Sequence, residues 1–213
     1  QNATKTSWTD TETQWSSGVL KVTPTAAGTW YLHIKGYNGA NVGNGYYDYA
    51  VTVNKKALTV TGLTAQNKVY DATTTAPLSG TAALLGAEAL GSGSTSDGKP
   101  YTGDAVSAGG TAAGTFSNKD VGTGKVVTVT GCTLSGAQAG NYTATQPTGL
   151  TADITPKALT ITGLSAVNKF YDGTTAVTLS GAASLLAAAG PGTGTTRDRQ
   201  PYTGDAVSVG WTA

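Results

Sequence analysis

Lys56-Ala57-Leu58-Thr59 returns as Lys157-Ala158-Leu159-Thr160, and the offset of 101 residues then holds without a gap to Ala213. Asn67-Lys68-Val69-Tyr70-Asp71 matches Asn168-Lys169-Phe170-Tyr171-Asp172, and Pro100 to Ser107 matches Pro201 to Ser208. Across the aligned stretches 56–112 and 157–213, roughly 36 of 57 positions are identical, far beyond chance. A period of this length is that of a whole domain, so the chain must fold as like modules in series. The second copy ends at Ala213, the equivalent of Ala112. A module cut there lacks strands and leaves open edges. Three expectations follow: a piece of a longer array, an end not represented in the chain, or strands supplied by a neighbouring subunit through strand addition.

Composition says what the modules are made of. Threonine occurs 39 times and glycine 30 times in 213 residues. Threonine is stiff at χ1 and suits a pleated strand, while glycine marks turns and bulges. Many short strands joined by tight turns are therefore expected. Charged residues make up 12%, about half the usual share of roughly 25%, and the net charge is +1. A nucleic-acid reader needs a basic stripe, so no nucleic-acid partner is expected. No apolar run is long enough to span a bilayer as a helix, and Gln1 opens a polar stretch, so any export signal lies outside this sequence. One cysteine and one histidine rule out an internal disulfide framework and leave little stock for catalysis. No enzyme activity, cofactor or metal is expected.

Residues 1–54 stand outside the repeat and hold eight of the sixteen aromatic residues. Gly28 to Lys35 alternates with period two, placing Trp30, Leu32 and Ile34 on one face and Tyr31, His33 and Lys35 on the other. Asn38 to Asn44 supplies a turn, and Tyr47, Tyr49, Val51 and Val53 form the inward face of a return strand. Within the first copy, Leu58 and Val60 share a strand face, Lys125 to Thr130 is a strand, and Thr143 to Ile154 is another. Thr81 to Leu90, with its counterpart Ala182 to Ala189, has helix-favouring composition and reads as a short helical turn. Gly91 to Pro100 and Gly190 to Gln200 read as flexible loops.

NKVYDATTTAPLSGTAAL, followed by AAGTFSNKDVGTGKVVTVTGCTLSGAQAGNYTATQPTGLTADITPKALT, resembles the YDG and MBG-type repeats of large bacterial surface proteins, such as filamentous-haemagglutinin-like adhesins. The resemblance covers 56–156 in full and 157–213 in part. It rests on Tyr171-Asp172-Gly173, on Asp120 to Lys125 and on Ala139-Gly140-Asn141-Tyr142. The first copy departs from it, with Ala72 in place of the name-giving glycine; either Ala72 bears a strained φ or the turn differs. Residues 1–55, through GTWYLHIKGYN, resemble the C-terminal part of a bacterial Ig-like domain. The resemblance implies an exported array at the cell surface or outside the cell, with no catalytic residues to carry over.

Tyr70, Asp71, Tyr171, Asp172, Gly173, Asn141 and Tyr142 are expected to be structural, with Asp71 and Asp172 bonding to backbone two residues on. Calcium ligation by these or by Asp97, Asp104 and Asp120 is the lesser reading, because no D-x-D-x-D-G spacing occurs. His33 has no partner residues for zinc, and Cys132 reads as a small buried apolar residue. Asn2-Ala3-Thr4 and Asn141-Tyr142-Thr143 fit the glycosylation pattern. A lysine–asparagine isopeptide bond needs a buried acid beside the pair. Glu88, the one glutamate in the repeats, falls where the copies differ, which speaks against it. Trp8, Trp15, Tyr31 and Tyr46 are candidates for stacking on sugar rings.

The expected architecture is all-β: tandem antiparallel, Ig-like β-sandwich modules in an extended array, with a β-grasp-like module as the alternative. The divisions are 1–55, 56–156 and 157–213. The expected role is a non-catalytic spacer or filament building block of an exported bacterial surface protein. Its partners are neighbouring modules, with self-association into fibres through strand exchange. The alternative is a carbohydrate-binding or accessory module of a secreted polysaccharide-active enzyme, meeting a polysaccharide or host glycan through residues 1–54.

Overall fold

A computed structural model describes residues 26–35 and 46–210. The chain forms two compact units, Gln1–Asn54 and Lys55–Ala213. In the first, β1 (Gly28–Lys35) and β2 (Tyr46–Val53) pair antiparallel in unbroken register, from Gly28 opposite Val53 to Lys35 opposite Tyr46. The expected hairpin strands are present, and the turn Asn38–Asn44 lies outside the described residues. Of the face expected to turn inward, Trp30 and its cross-strand partner Val51 are 37% and 38% exposed, and the side chains of Leu32, Ile34, Tyr47 and Tyr49 lie outside the described residues. Among the described residues these two strands form a sheet of their own, and Trp30 satisfies its indole N–H locally, donating to the Ala26 carbonyl at 2.9 Å.

The second unit begins with β3 (Lys56–Ala65), β4 (Lys68–Val69), β5 (Thr75–Ala76) and β6 (Leu78–Leu84). It continues through β7 (Ser107–Phe116), β8 (Gly122–Ser135), β9 (Tyr142–Thr145) and β10 (Leu150–Thr155). Two sheets result: five strands in the order β4-β10-β8-β7-β5, and three in the order β6-β3-β9. Alternation builds the core. Lys56, Leu58 and Val60 of β3 are buried in turn, as are Val127 and Val129 of β8, whereas Val126, just before them, is 58% exposed. Phe116, Val127, Ala152 and Ile154 pack within the larger sheet, and Val60 meets Val129 and Cys132 across the two sheets. Each buried valine, leucine, isoleucine or phenylalanine side chain contributes about 1.5–3 kcal/mol of transfer free energy.

Three expectations are corrected here. The ladders β3–β9 and β4–β10 are parallel, so the module is not the purely antiparallel sandwich expected. The helical turn at Thr81–Leu90 is absent: β6 runs to Leu84, pairing Leu84 with Val60, and Glu88 then bridges Tyr101. Alanine and leucine are good helix formers, but intrinsic propensity is a small term, and pairing with the available β3 edge overrides it. Thr143 to Ile154 is two strands in different sheets. The chain breaks at Gln146-Pro147, where Gln146 turns inward and bonds both the N–H and the carbonyl of Cys132 at 2.9 and 2.8 Å.

In the second copy, β11 (Ile161–Ala166) and β12 (Leu179–Leu185) reproduce the β3–β6 ladder, including its irregularity between Thr162 and Leu164. The two segments expected to be open loops are tied to the first strand stretch of their own copy. Thr59 N–H donates to Gly98 at 2.9 Å, and Thr160 N–H donates to Arg199 at 3.2 Å. Among the described residues no helix is long and apolar enough to cross a membrane.

Candidate functional site

The Tyr-Asp turn is built identically in both copies. Asp71 Oδ1 accepts from the Thr73 N–H and hydroxyl, each at 2.9 Å, and from Lys68 Nζ at 2.6 Å. Lys68 reaches on to the Thr73 carbonyl at 2.8 Å. Asp172 does the same with Thr174 at 3.0 and 2.9 Å and with Lys169 at 2.8 Å. The residue after each aspartate is left-handed, with φ of 62° at Ala72 and 69° at Gly173. The turn is therefore kept, and Ala72 carries the strain. Burial pushes the Asp71 carboxyl up, but the bonds from Lys68 and Thr73 outweigh it and hold it below the usual 3.8.

These turns do not serve the same contacts. Tyr70 is half-buried, and its N–H donates to Thr155 at 2.8 Å. Tyr171 is 98% exposed. The first turn is where the second copy meets the first. The Tyr70 hydroxyl donates to Asp205 at 2.7 Å, Lys119 Nζ reaches the same oxygen at 2.9 Å, and the Gly192 N–H donates to the Asp71 carbonyl at 2.8 Å. The rings of Tyr70 and Tyr202 meet edge to face with centroids 5.9 Å apart, beside a cleft of about 340 Å³. Burial, followed by the bond to Asp205, raises the Tyr70 hydroxyl above 10.0. For Asp205, burial acts upward, while Lys119 and Tyr70 prevail and keep its carboxyl low.

A second constellation was not read from the sequence. Lys56 opens β3 with its Nζ buried, 2.5 Å from Glu88 Oε1 and 3.0 Å from Asp97 Oδ1. The Tyr101 ring covers it, with the centroid 4.2 Å away. Burial pushes the Lys56 ammonium down, but the bonds to Glu88 and Asp97 outweigh it, so its net shift is upward. The second copy places Lys157 2.7 Å from Asp198 and 3.9 Å from the Tyr202 ring centroid, but Ala189 stands where Glu88 does. The Lys157–Asp198 distance is that of an ion pair, although its direction falls outside hydrogen-bond geometry. Lysine, aspartate and tyrosine at equal offsets were the available signal.

The remaining candidates are dispersed. Tyr142 is buried after a short 3-10 turn at Ala139–Asn141; its hydroxyl donates to Asp104 and accepts from the Tyr101 N–H at 3.2 Å. Tyr31 is 52% exposed on β1. Trp8, Trp15 and Asn2 lie outside the described residues, as do the side chains of His33 and Tyr46. Among the described residues no three His, Cys, Asp or Glu side chains are grouped for a metal ion.

Two stretches, 54–149 and 155–210, match the model of the YDG domain. The chain belongs to the YDG domain family. The matched stretches contain both Tyr-Asp turns, both lysine clusters and Asp205. Comparison with curated proteins and with solved structures gave no match. The Tyr70-Asp71 turn of the first YDG repeat is the seat on which the second rests.

Proposed function

We propose that this chain is a non-catalytic, semi-rigid spacer or filament segment of a large exported bacterial surface protein of the adhesin type. Its modules would be two-layered, sandwich-like units in tandem, preceded by the end of an Ig-like domain. The observation that carries this reading is the joint between the YDG repeats. Asp205 takes two bonds from the preceding repeat, and the Asp71 carbonyl takes a third from Gly192. Short connections such as Ile154-Thr155-Pro156-Lys157 leave little slack, and repeats bonded across a joint transmit force rather than hinge freely. A near-neutral, threonine-rich surface suits lateral packing without strong repulsion.

Small-angle scattering of the chain is the first test, with a Y70F/D205A variant alongside. A defined spacing between repeats in the wild type, broadened in the variant, is expected. Equal, broad distributions in both would overturn the spacer role. Antibody labelling of intact producing cells tests the location, since a surface protein labels without permeabilisation. Retention on a polysaccharide column, lost on substitution of Trp8, Trp15, Tyr31 and Tyr46, would instead favour carbohydrate binding.

A further inference from the structure

The Lys56 cluster holds the parts of a condensation reaction rather than of an ion pair alone. We propose that Lys56 and Asp97 join in an intramolecular isopeptide bond, with Glu88 as the proton carrier. Nζ is the nucleophile and the Asp97 carboxyl carbon is the electrophile. Oδ1 already lies 3.0 Å from Nζ, so the reacting groups are held in place by the fold. The sequence speaks against such a bond because Glu88 falls in a variable segment; the structure brings that glutamate to 2.5 Å from Nζ.

The step balances without a co-reactant. One proton passes from the ammonium to the Asp97 carboxylate, giving an amine beside a carboxylic acid. Nζ then attacks Cγ, and Glu88 takes a second proton from nitrogen and delivers it to the departing hydroxyl. A C–N bond forms, a C–O bond breaks, one water leaves, and Glu88 returns to its starting state. The charge is zero before and after for the lysine–aspartate pair. The Lys99 N–H donates to Asp97 Oδ1 at 2.9 Å and the Ser94 N–H to Oδ2 at 3.4 Å, so backbone donors face the oxygens where negative charge develops.

Burial favours the neutral pair. The side chains of Lys56, Glu88 and Asp97 are only 7%, 11% and 20% exposed, and the Tyr101 ring closes the site over Nζ. Gly93 completes the enclosure, because a Cβ there would lie 1.9 Å from Glu88 Oε2 and 2.8 Å from Asp97 Oδ2. At rest the bonds to both carboxylates keep Lys56 charged, so the reaction draws on a minor tautomer and is slow. The second repeat is a built-in control. It keeps the lysine, the aspartate, the tyrosine and the backbone donor, with Gln200 N–H 2.9 Å from Asp198 Oδ1, but has Ala189 for the glutamate.

The test is the intact mass and peptide map of the purified full chain after prolonged incubation. A mass one water below that of the sequence is expected, with a branched peptide joining Lys56 to Asp97. K56R, D97A and E88Q should each restore the full mass, and Lys157 and Asp198 should map to separate peptides. An unmodified wild-type mass overturns the proposal. Water loss that persists in K56R also overturns it, because Asp97-Gly98 can close to a succinimide with the same change in mass. Equal cross-linking in E88Q, or at Lys157–Asp198, refutes the role of Glu88. None of these outcomes depends on the spacer role.

Discussion

Ala72 sits where its counterpart is Gly173, and both backbones are left-handed, at φ 62° and 69°. For an L-residue that conformation costs about 1–2 kcal/mol. Replacing Ala72 with glycine removes the cost, but it frees the unfolded chain by about 0.4–1 kcal/mol. The net expectation for A72G is a gain of about 0.5–1 kcal/mol. That is a rise of about 1–4 °C in Tm for a unit of this size. The turn's own bonds use the carboxylate of Asp71 and the N–H and hydroxyl of Thr73, so glycine at 72 removes none of them. G173A should lose a similar amount through φ alone, since a Cβ at Gly173 meets nothing within 4 Å. Urea unfolding of both variants measures the pair. A destabilised A72G together with an unchanged G173A would refute the strain argument.

Y70F removes the hydroxyl that reaches Asp205 across the repeat joint and should cost about 1 kcal/mol, with faster proteolytic cleavage near Pro156; an unchanged melt and digest would show the bond to be idle. Acid should destabilise the fold in a definite window. Asp71, Asp97, Asp172, Asp198 and Asp205 all have folded pKa values below 3.8, so their contribution is present above the unfolded value and is lost as pH falls below it through the folded values. Denaturation midpoints that stay level from neutral pH to below 3.8 would contradict this. At the alkaline end the raised hydroxyls of Tyr70 and Tyr142 predict falling stability above 10.0, where the unfolded tyrosines ionise first. G98A should cost about 2 kcal/mol or more by urea titration, because φ is 78° and the new Cβ would lie 2.2 Å from Thr59 Oγ1. The second copy places Arg199 at this position with φ 61°, and its bond to Thr160 is longer, at 3.2 Å against 2.9 Å for the glycine copy.

The local rules were legible wherever one strand face alternates. Leu58 and Val60 are buried as their spacing implies, and the first-unit strands run where the period-two pattern places them. Both Tyr-Asp turns have the carboxylate-to-backbone bonds expected of an aspartate two residues before a threonine. Legibility failed where a partner strand decides the outcome. Leu78 to Leu84 has no strand pattern of its own and is a strand because β3 offers an edge. Trp30 lies on the face its alternation assigns to a core, yet it is 37% exposed, because periodicity distinguishes the two faces but does not set how deeply either is covered.

The sequence by itself determined that the Lys55–Ala213 unit is made of two homologous modules, that they are strand-built, and that the same turn recurs 101 residues on, because repetition and period-two alternation are local properties of the chain. Only the tertiary structure decided the parallel ladders, the seat of Asp205 on Tyr70 and Lys119, and the meeting of Lys56 with Glu88 and Asp97. The physical reason is distance along the chain. Lys56 and Glu88 are 32 residues apart, and Tyr70 and Asp205 are 135 apart. No propensity or spacing rule reaches across such gaps; the packing of sheets and loops closes them.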